Sequence, residues 1–326
     1  MHPELFRIPL TELTVKSYGT MLVIGFLAAV YVIRRLSRDI TPDPNMITNA
    51  SLYALVAGVV GARIFYVVHY YGRFRGDFAG VFKVWEGGLE LLGGVLGAVV
   101  VIILYLRYHK LPIRRYLDIL AIGLMLALAF GRVGCFLNGC CFGKPSDLPW
   151  AVRFPYNSLA YQSQVQPDPK RDRPEPELKL PADFFESGIL KPYDQLTTEQ
   201  KQQATAGPYR CLAVHPTQLY ASANAAILTG ILYFFWRRSR KTDKEGVRKI
   251  FAGAGSTFAL MFILYGLVRF FEEFLRDDNP FETAWWTIYK GGTISQNLSI
   301  YMFIAGVVLM FVFQKIFTGK QISGKS

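Results

Sequence analysis

The stretch Leu117–Phe136, LDILAIGLMLALAFGRVGCF, decides the fold class of this chain. About 20 consecutive, mostly apolar residues are enough to carry an α-helix across the hydrocarbon core of a bilayer. Arg132 nevertheless lies near the end of this run. Intramembrane arginines are costly and therefore rare, and they usually face the protein interior and serve a function. The stretch predicts a membrane-spanning helix with a functional cation near one end.

Arg63 and Arg269 repeat this pattern in two other apolar runs. An arginine side chain keeps its charge, and its planar fork of donors matches pairs of phosphate oxygens. Three such residues in one chain indicate a pocket for a lipid phosphate.

The composition is that of an integral membrane protein. Of 326 residues, 52% are hydrophobic and 15% aromatic, and the mean hydropathy of +0.24 is too high for an ordinary soluble domain. The net charge of +12 does not indicate nucleic-acid binding, because the basic residues cluster in short segments between apolar runs. The N-terminus MHPELFRIPL lacks the features of a cleaved signal peptide, so we expect targeting by the first span.

Seven apolar segments are each long enough, at about 17–25 residues, to cross a bilayer as a helix. The sequence therefore predicts an all-α polytopic membrane protein, with a single seven-helix transmembrane domain over residues 1–326. The predicted spans are Ser17–Ile33, Ser51–Tyr71, Leu89–Leu106, Leu117–Phe136, Pro216–Trp236, Gly253–Leu275 and Leu298–Phe317.

Basic residues predict the orientation of these spans. Clusters of Lys and Arg follow the first, third, fifth and seventh spans, and the short connections on the other side carry few. The positive-inside rule then places the N-terminus outside and the C-terminus in the cytoplasm. Residues 143–212, between the fourth and fifth spans, become an extracytoplasmic insertion, and Arg132 lies toward the outer leaflet.

The segment YGLVRFFEEFLRDD places Tyr265, Arg269, Glu273 and Arg276 within one broad face of the sixth helix. An ion pair between Arg269 and Glu273 that only fixes helix packing is the structural alternative, because pairing lowers the insertion cost in either case. A functional role is favoured, since ionisable groups in spans usually have one.

Three further motifs carry candidate residues. In GRVGCFLNGCCFG, the glycines permit close approach of the backbone to a ligand, and Asn138 can hydrogen-bond a head group. Gly93 and Gly94 of WEGGLELLGG either approach a head group or only allow close helix packing. HPTQLY begins the fifth helix, and its His215 either accepts a proton or only caps the helix.

Four cysteines are too few for a disulfide scaffold. A disulfide from Cys140 or Cys141 to Cys211 is favoured in an oxidising compartment. The alternative is a zinc site formed by Cys140, Cys141, Cys211 and His215, although adjacent cysteines are awkward chelators.

Taken in order, these motifs resemble those of the bacterial prolipoprotein diacylglyceryl transferase family. The resemblance is carried by SYGTMLVIGF, GARIFYV, WEGGLELLGGVLG, GRVGCFLNG, PWAVRFP, HPTQLY, YGLVRFFEEFLRDD and ISQNLS. It implies a seven-span protein of the bacterial cytoplasmic (inner) membrane that moves diacylglyceryl from phosphatidylglycerol to the lipobox cysteine thiol of a preprolipoprotein. The expected partners are phosphatidylglycerol, lipobox peptides and the membrane, with no nucleic acid and with no metal or organic cofactor.

The resemblance also implies roles for particular residues. Arg132 is expected to hold the lipid phosphate, and Arg269, oriented by Glu273, to stabilise the leaving phosphate. Together with the argument from buried cations, this gives two sets of candidates. The catalytic candidates are Arg269, Glu273, Arg132 and His215, and the substrate-binding candidates are Arg132, Tyr18, Arg63, Gly93, Gly94, Asn138, Gln218, Tyr265 and Arg276.

The chain departs from the family pattern at Leu92, Cys135, Cys140 and Ala221, where the family usually has a histidine, an asparagine, a glutamate and an acidic residue. The departures remove polar groups that would accept a proton. We therefore expect the positive potential of the arginines to activate the acceptor thiol, whose ordinary pKa is about 8.5. A divergent paralogue with another acceptor and a non-catalytic lipid-binding or transport protein are the alternatives.

Overall fold

The computed structural model describes residues 4–7, 14–38, 40–41, 43–76, 79–83, 87–88, 90–244, 253–281 and 283–323. Two sequence predictions lie partly outside these residues. They are three positions of the WEGGLELLGG motif, Trp85, Glu86 and Leu89, and the part of the basic connection at 245–252.

The described chain is predominantly helical, and every apolar segment predicted as a span contains a helix. The helices are α1 (Ser17–Ser37), α2 (Asn45–His69), α3 (Leu91–Tyr108), α4 (Ile113–Asn138), α5 (Leu159–Val165), α6 (Thr198–Thr205), α7 (Thr217–Lys244), α8 (Ser256–Glu272) and α9 (Ile294–Ser323). Two antiparallel pairs of short strands accompany them: β1 (Glu4–Arg7) with β2 (Thr14–Lys16), and β3 (Phe185–Glu186) with β4 (Ile189–Leu190).

Length and composition allow five of the described helices to cross a membrane, namely α1, α2, α4, α7 and α9. The other two apolar helices are shorter. In α3 the apolar part is Leu92–Tyr108, and α8 has 17 residues. At 1.5 Å per residue, 17 residues extend about 26 Å, slightly less than a hydrocarbon core of about 30 Å. The structure therefore shows a membrane-type helical protein, and the count of seven transmembrane helices stays a prediction.

The chain divides into two compact units, of which one comprises residues 29–123. In this unit α2 and α3 approach to backbone contact. A Cβ atom on Gly93 would lie 2.4 Å from the carbonyl oxygen of Gly61, and one on Gly97 would lie 2.5 Å from that of Ala57. Gly94 faces α2 as well. Small residues permit such contact between membrane helices, so the packing alternative accounts for Gly93 and Gly94.

The other unit comprises residues 1–28 and 124–326. Within it α8 and α9 also pack through glycines, since a Cβ atom on Gly266 would lie 2.7 Å from the carbonyl oxygen of Ser299. The insertion at 143–212 has its own hydrophobic core, which includes the fully buried rings of Tyr161 and Phe184. Short helices, 3-10 turns and the β3–β4 hairpin surround this core. The insertion is thus compact despite its irregular backbone.

The packing of α2 on α3 gives a direct test of stability. Replacing Gly93 with Ala should lower the thermal unfolding temperature in detergent, because the new methyl group would force the two backbones apart. Gly230→Ala is the matched control, since a Cβ atom there meets open space in the helix α7. It should leave the unfolding temperature unchanged or raise it slightly. Equal effects of the two changes would contradict the packing described here.

Candidate functional site

A buried ion pair joins Arg269 and Glu273 at the end of α8. Nη1 of Arg269 lies 2.6 Å from Oε2 of Glu273, and the Glu273 side chain is fully buried. The other carboxylate oxygen accepts hydrogen bonds from Thr293 Oγ1, at 2.8 Å, and from the amide of Asn279. Both oxygens of Glu273 are therefore engaged, and the carboxylate orients Arg269 from a fixed position.

Arg276 follows the 3-10 turn that ends this helix. Its guanidinium donates two hydrogen bonds to Asp278, from Nε to Oδ1 at 2.9 Å and from Nη2 to Oδ2 at 2.7 Å. Its Nε atom also lies 3.8 Å from Oε2 of Glu273. The carboxylates of Glu273 and Asp278 thus neutralise the positive charges of Arg269 and Arg276.

Two arginines of the insertion hold the segment that carries Arg276. Arg171 donates a hydrogen bond of 2.6 Å to the carbonyl oxygen of Arg276. Arg173 Nη1 lies 2.9 Å from a carboxylate oxygen of Asp277. These side chains are largely buried, so the charge-assisted bonds fix the backbone after α8 strongly. The insertion is therefore part of the framework of the site.

The end of α4 brings three thiols to the same place. The Sγ atoms of Cys135, Cys140 and Cys141 all lie within 4.8 Å of one another. Arg132 and Arg276 both interact electrostatically with Cys141. Two guanidinium groups from different parts of the chain therefore face one cluster of thiols.

The position of Cys141 favours its ionised form. The Cys140 thiol donates a hydrogen bond of 3.7 Å to the carbonyl oxygen of Cys135. The side chains of Cys135 and Cys140 and the positive charges of Arg276 and Arg132 all favour the Cys141 thiolate. These interactions lower the pKa of the Cys141 thiol below its ordinary value.

Arg132 differs from the other arginines of the cluster in having no bound anion. Among the described residues, its half-buried guanidinium forms no hydrogen bond or ion pair to another side chain or carbonyl group. Arg132 interacts electrostatically with Tyr265, Cys141 and Arg276. It also interacts electrostatically with Tyr18. The donors of Arg132 are consequently available to a ligand.

Side chains of the first turn of α7 form hydrogen bonds with the backbone of the thiol cluster. Thr217 Oγ1 donates a 2.8 Å hydrogen bond to the carbonyl oxygen of Cys141, and Gln218 Nε2 donates one of 2.8 Å to that of Cys140. Oε1 of Gln218 is buried and has no hydrogen-bond partner in the part of the chain that the structure describes. Asn138 interacts with the Cys140 thiol through its side chain. These polar groups fix the backbone and leave one buried acceptor unused.

His215 reaches the cluster through the main chain. Its carbonyl oxygen accepts a 3.1 Å hydrogen bond from the amide of Gly143, which also pairs with Arg276 in a short β-bridge. A Cβ atom on Gly143 would lie only 2.6 Å from that of His215, so the close approach requires glycine. The imidazole lies 3.5 Å from the hydroxyl of Tyr220, to which Trp150 donates a hydrogen bond. These contacts favour a hydrogen-bonding role for His215 over a role as proton acceptor.

Arg63 belongs to the unit of residues 29–123, and carbonyl groups occupy four of the five N–H donors of its guanidinium. Its guanidinium donates four hydrogen bonds of 2.6–2.9 Å to the carbonyl oxygens of Gly80, Val81, Gly87 and Gly88. The contacts explain how the connection between α2 and α3 is held on α2. A role for Arg63 in substrate binding stays a prediction that its contacts do not favour.

Cys211 is not in the thiol cluster. Its thiol lies in the core of the insertion and contacts Oε1 of Gln164 at 3.3 Å. Burial raises the pKa of the Cys211 thiol to about 11. All four cysteines are free in the structure, so the expected disulfide to Cys211 is not formed. Among the described residues, Cys211 and His215 do not join Cys140 and Cys141 in a group able to hold one metal ion, so the four expected zinc ligands do not converge.

The site therefore unites most of the residues expected from the sequence. Those that the structure brings into one cluster are Tyr18, Arg132, Asn138, Gln218, Tyr265, Arg269, Glu273 and Arg276. Sequence reasoning missed the supporting groups Arg171, Arg173, Thr217 and Thr293. Thr217 lies within the HPTQLY motif and was open to detection there, whereas the arginines of the insertion carry no motif signal.

The contrast between Arg63 and Arg132 predicts that their replacement changes the free energy of unfolding by very different amounts. Arg63→Lys should lower the free energy of unfolding by about 2 kcal/mol or more, because lysine cannot satisfy four carbonyl groups arranged around a guanidinium. Arg132→Lys should change it by less than about 0.5 kcal/mol, since Arg132 has no partner to lose. Thermal unfolding of the purified variants measures both. A stability loss at Arg132 as large as that at Arg63 would contradict the assigned contacts.

Comparisons with known proteins show the family of this chain. Residues 3–312 match the family model described as prolipoprotein diacylglyceryl transferase. The phosphatidylglycerol–prolipoprotein diacylglyceryl transferase of Burkholderia multivorans is 30% identical over 321 residues, covering 95% of each chain. The relative of the same name from Stenotrophomonas maltophilia is 32% identical over 312 residues, covering 93% of this chain and 89% of its own. The relative from Chloroflexus aggregans is 30% identical over 275 residues, or 84% of this chain and 76% of its own.

The match to the family model extends over nearly the whole chain and includes the positions of Arg132 and Arg276. This chain belongs to the prolipoprotein diacylglyceryl transferase family.

Proposed function

We propose that the protein transfers the diacylglyceryl group of phosphatidylglycerol to the lipobox cysteine thiol of a preprolipoprotein, the first step of lipoprotein maturation. One observation carries the proposal. Arg132 presents unpaired guanidinium donors beside Arg276 in a membrane-type helical protein. A lipid phosphate supplies the anion that this arrangement lacks, and a guanidinium fork binds two of its oxygens.

The proposed setting is the bacterial cytoplasmic membrane, crossed by seven helices. In this topology the N-terminus and the insertion at 143–212 lie outside and the C-terminus lies in the cytoplasm. The apolar lengths of α1, α2, α4, α7 and α9 support the spans, and the basic ends of alternate helices support the direction. The arginine cluster then opens toward the outer leaflet, where an exported preprolipoprotein presents its lipobox.

The reaction exchanges one bond to carbon for another. The acceptor thiol loses its proton, and its sulfur attacks the glyceryl carbon that carries the phosphate ester. A C–S bond forms while the C–O bond breaks, and glycerol phosphate leaves with the electron pair of that bond. The charge that develops on the leaving phosphate is the largest demand on the site, and preorganised cations stabilise it best away from water.

The contacts support a division of roles among the cations. Arg132 holds the phosphate, because its donors are available. Arg269 stabilises the leaving group from the position that Glu273 fixes. Tyr18, Tyr265, Asn138, Gln218 and Arg276 line the pocket. Four other candidates stabilise the surrounding structure through the contacts already described: His215, Arg63, Gly93 and Gly94.

The experiment that tests this function uses purified full-length protein, labelled phosphatidylglycerol and a lipobox peptide. Transfer of label to the peptide cysteine, with release of glycerol phosphate, supports the proposal. Transfer to a different thiol or to a hydroxyl acceptor contradicts it and supports a divergent paralogue. Retention of lipid without any turnover contradicts it and supports a lipid-binding or transport protein.

Substitution of Arg269 separates the chemistry from the fold. Arg269→Lys keeps a positive charge beside Glu273 but loses the planar fork, so turnover should fall by about 10²–10³-fold. The unfolding temperature should change little because the ion pair persists. Arg210→Lys is the matched control, since Arg210 is an exposed residue of the insertion, and it should retain full turnover. Turnover of Arg269→Lys close to that of the control would contradict the role of Arg269.

A further inference from the structure

The cluster of Cys135, Cys140 and Cys141 is the feature of the site that the reaction described so far does not use. Their Sγ atoms lie within 4.8 Å of one another, and no other described cysteine, histidine or carboxylate belongs to the group. Three thiols so close together have the separation that the ligands of one metal ion require. All of them are free in the structure.

Local backbone geometry overcomes the difficulty that adjacent cysteines pose for chelation. Gly139 ends α4 with φ 77, and Cys141 itself adopts φ 61. In an extended chain, Cys140 and Cys141 would point to opposite sides. Cys141 instead adopts the left-handed conformation, which residues other than glycine, asparagine and aspartate rarely adopt, and all three thiols converge. The chain accepts strain at the point where the thiols converge.

The separations suit a tetrahedral ion. With Zn–S bonds of about 2.3 Å, tetrahedral zinc separates its sulfur ligands by roughly 3.8 Å. The observed upper limit of 4.8 Å requires each thiol to move by only a fraction of an ångström. Hydrogen bonds from Thr217 and Gln218 to the carbonyl oxygens of Cys141 and Cys140 hold the backbone in place. Such outer contacts orient metal ligands in many proteins.

The surrounding charges suit an anionic metal centre. Three thiolates and one Zn²⁺ carry a net charge of −1, and a fourth thiolate makes it −2. Arg132 and Arg276 both interact electrostatically with Cys141, although Asp278 already balances the charge of Arg276. An uncompensated thiolate cluster would be costly in an apolar setting, and the positive potential of the guanidinium groups lowers that cost.

We propose that Cys135, Cys140 and Cys141 bind a zinc ion whose fourth coordination position takes the acceptor thiol of the lipobox peptide. The inference rests on the proposed transferase function and departs from the expectation of a reaction without metal. Zinc sites with three protein ligands and one open position are catalytic, whereas closed four-ligand sites are structural. Soft thiolates select zinc over magnesium or calcium.

The chemistry balances without an oxidant or a second substrate. The acceptor thiol releases its proton to solvent when its sulfur binds zinc, because a coordinated thiol is deprotonated outright. The bound thiolate attacks the glyceryl carbon, a C–S bond forms, the C–O bond breaks, and the phosphate leaves with its electron pair beside Arg132. The product thioether is a neutral, weak ligand and leaves the zinc. The metal thereby replaces the base that the departures at Leu92 and Cys140 remove from the family pattern.

Metal content is the first measurement. Full-length protein, purified in detergent under reducing conditions and incubated with Zn²⁺ alone, should retain about one zinc per chain after desalting. Cys135→Ser, Cys140→Ser and Cys141→Ser should each reduce the retained zinc at least tenfold. Cys211→Ser is the matched control and should retain zinc as the parent protein does. Absence of retained zinc in the parent, or equal retention in all four variants, overturns the proposal, as does a disulfide between two of the three thiols in the zinc-treated protein.

Co²⁺ substitution tests the fourth position independently of turnover. The cobalt protein should show the visible absorption of tetrahedral thiolate coordination. This spectrum should change when the lipobox peptide is added, but not with a peptide whose cysteine is replaced by serine. An identical response to both peptides overturns the role of the acceptor thiol as a ligand.

The lipid-transfer assay distinguishes failure of the zinc proposal from failure of the proposed transferase function. Loss of transfer in Cys135→Ser, with transfer retained in Cys211→Ser, supports the metal role. Full transfer by metal-free Cys135→Ser overturns the zinc proposal and leaves the transferase function intact. Zinc binding and the peptide-dependent cobalt spectrum in a protein that transfers no lipid would overturn the transferase function and leave the metal site standing.

Discussion

The site depends on the buried carboxylate of Glu273. It neutralises Arg269 at 2.6 Å, lies 3.8 Å from Arg276, and accepts a hydrogen bond from Thr293, which directly precedes α9. A lone charge in this setting would be strongly unfavourable, and removal of one partner from a buried pair typically costs about 3–5 kcal/mol. Glu273 thus joins the end of α8, the segment after it and the start of α9 into one unit. Glu273 therefore fixes Arg269 directly and contributes to the position of Arg276.

Among the described residues of the site, Arg132 is the arginine whose guanidinium has no hydrogen-bonded or ion-paired partner. Arg269 has Glu273, Arg276 has Asp278, and Arg63 has four carbonyl groups. Maintaining an unpaired guanidinium is unfavourable in an apolar environment, so the arrangement is best understood as preorganisation for an anionic ligand. The insertion contributes to the same end, since Arg171 and Arg173 hold the segment after α8. A bound anionic substrate would neutralise the charge of Arg132, for which the described residues supply no counter-ion.

Much of the fold was open to prediction because apolar length is a property of consecutive residues. All seven predicted segments contain helices, but hydropathy marks only their apolar parts. Accordingly α2 begins at Asn45, earlier than the predicted Ser51, and α7 continues to Lys244, beyond Trp236. Helices propagate through polar residues once nucleated. The spacing of Arg269 and Glu273 likewise predicted their pairing, because i and i+4 residues share a face.

The remaining features depend on contacts that sequence spacing does not encode. Arg63, Arg132 and Arg269 look alike as cations in apolar runs, yet the acceptors of Arg63 are carbonyl groups 17–25 residues further along the chain. The convergence of Cys135, Cys140 and Cys141 requires a left-handed residue at Cys141, which adjacent cysteines do not predict. The support from Arg171 and Arg173 arises in an insertion whose docking is visible only in the folded chain.

Lipid selection by Arg132 tests the central claim most directly. Native mass spectrometry of the detergent-purified protein, equilibrated with equal amounts of phosphatidylglycerol and uncharged diacylglycerol, reports which lipid is retained. The parent protein should retain phosphatidylglycerol in clear preference, and Arg132→Gln should lose that preference while it still binds apolar chains. An unchanged preference in Arg132→Gln would show that the phosphate is bound elsewhere.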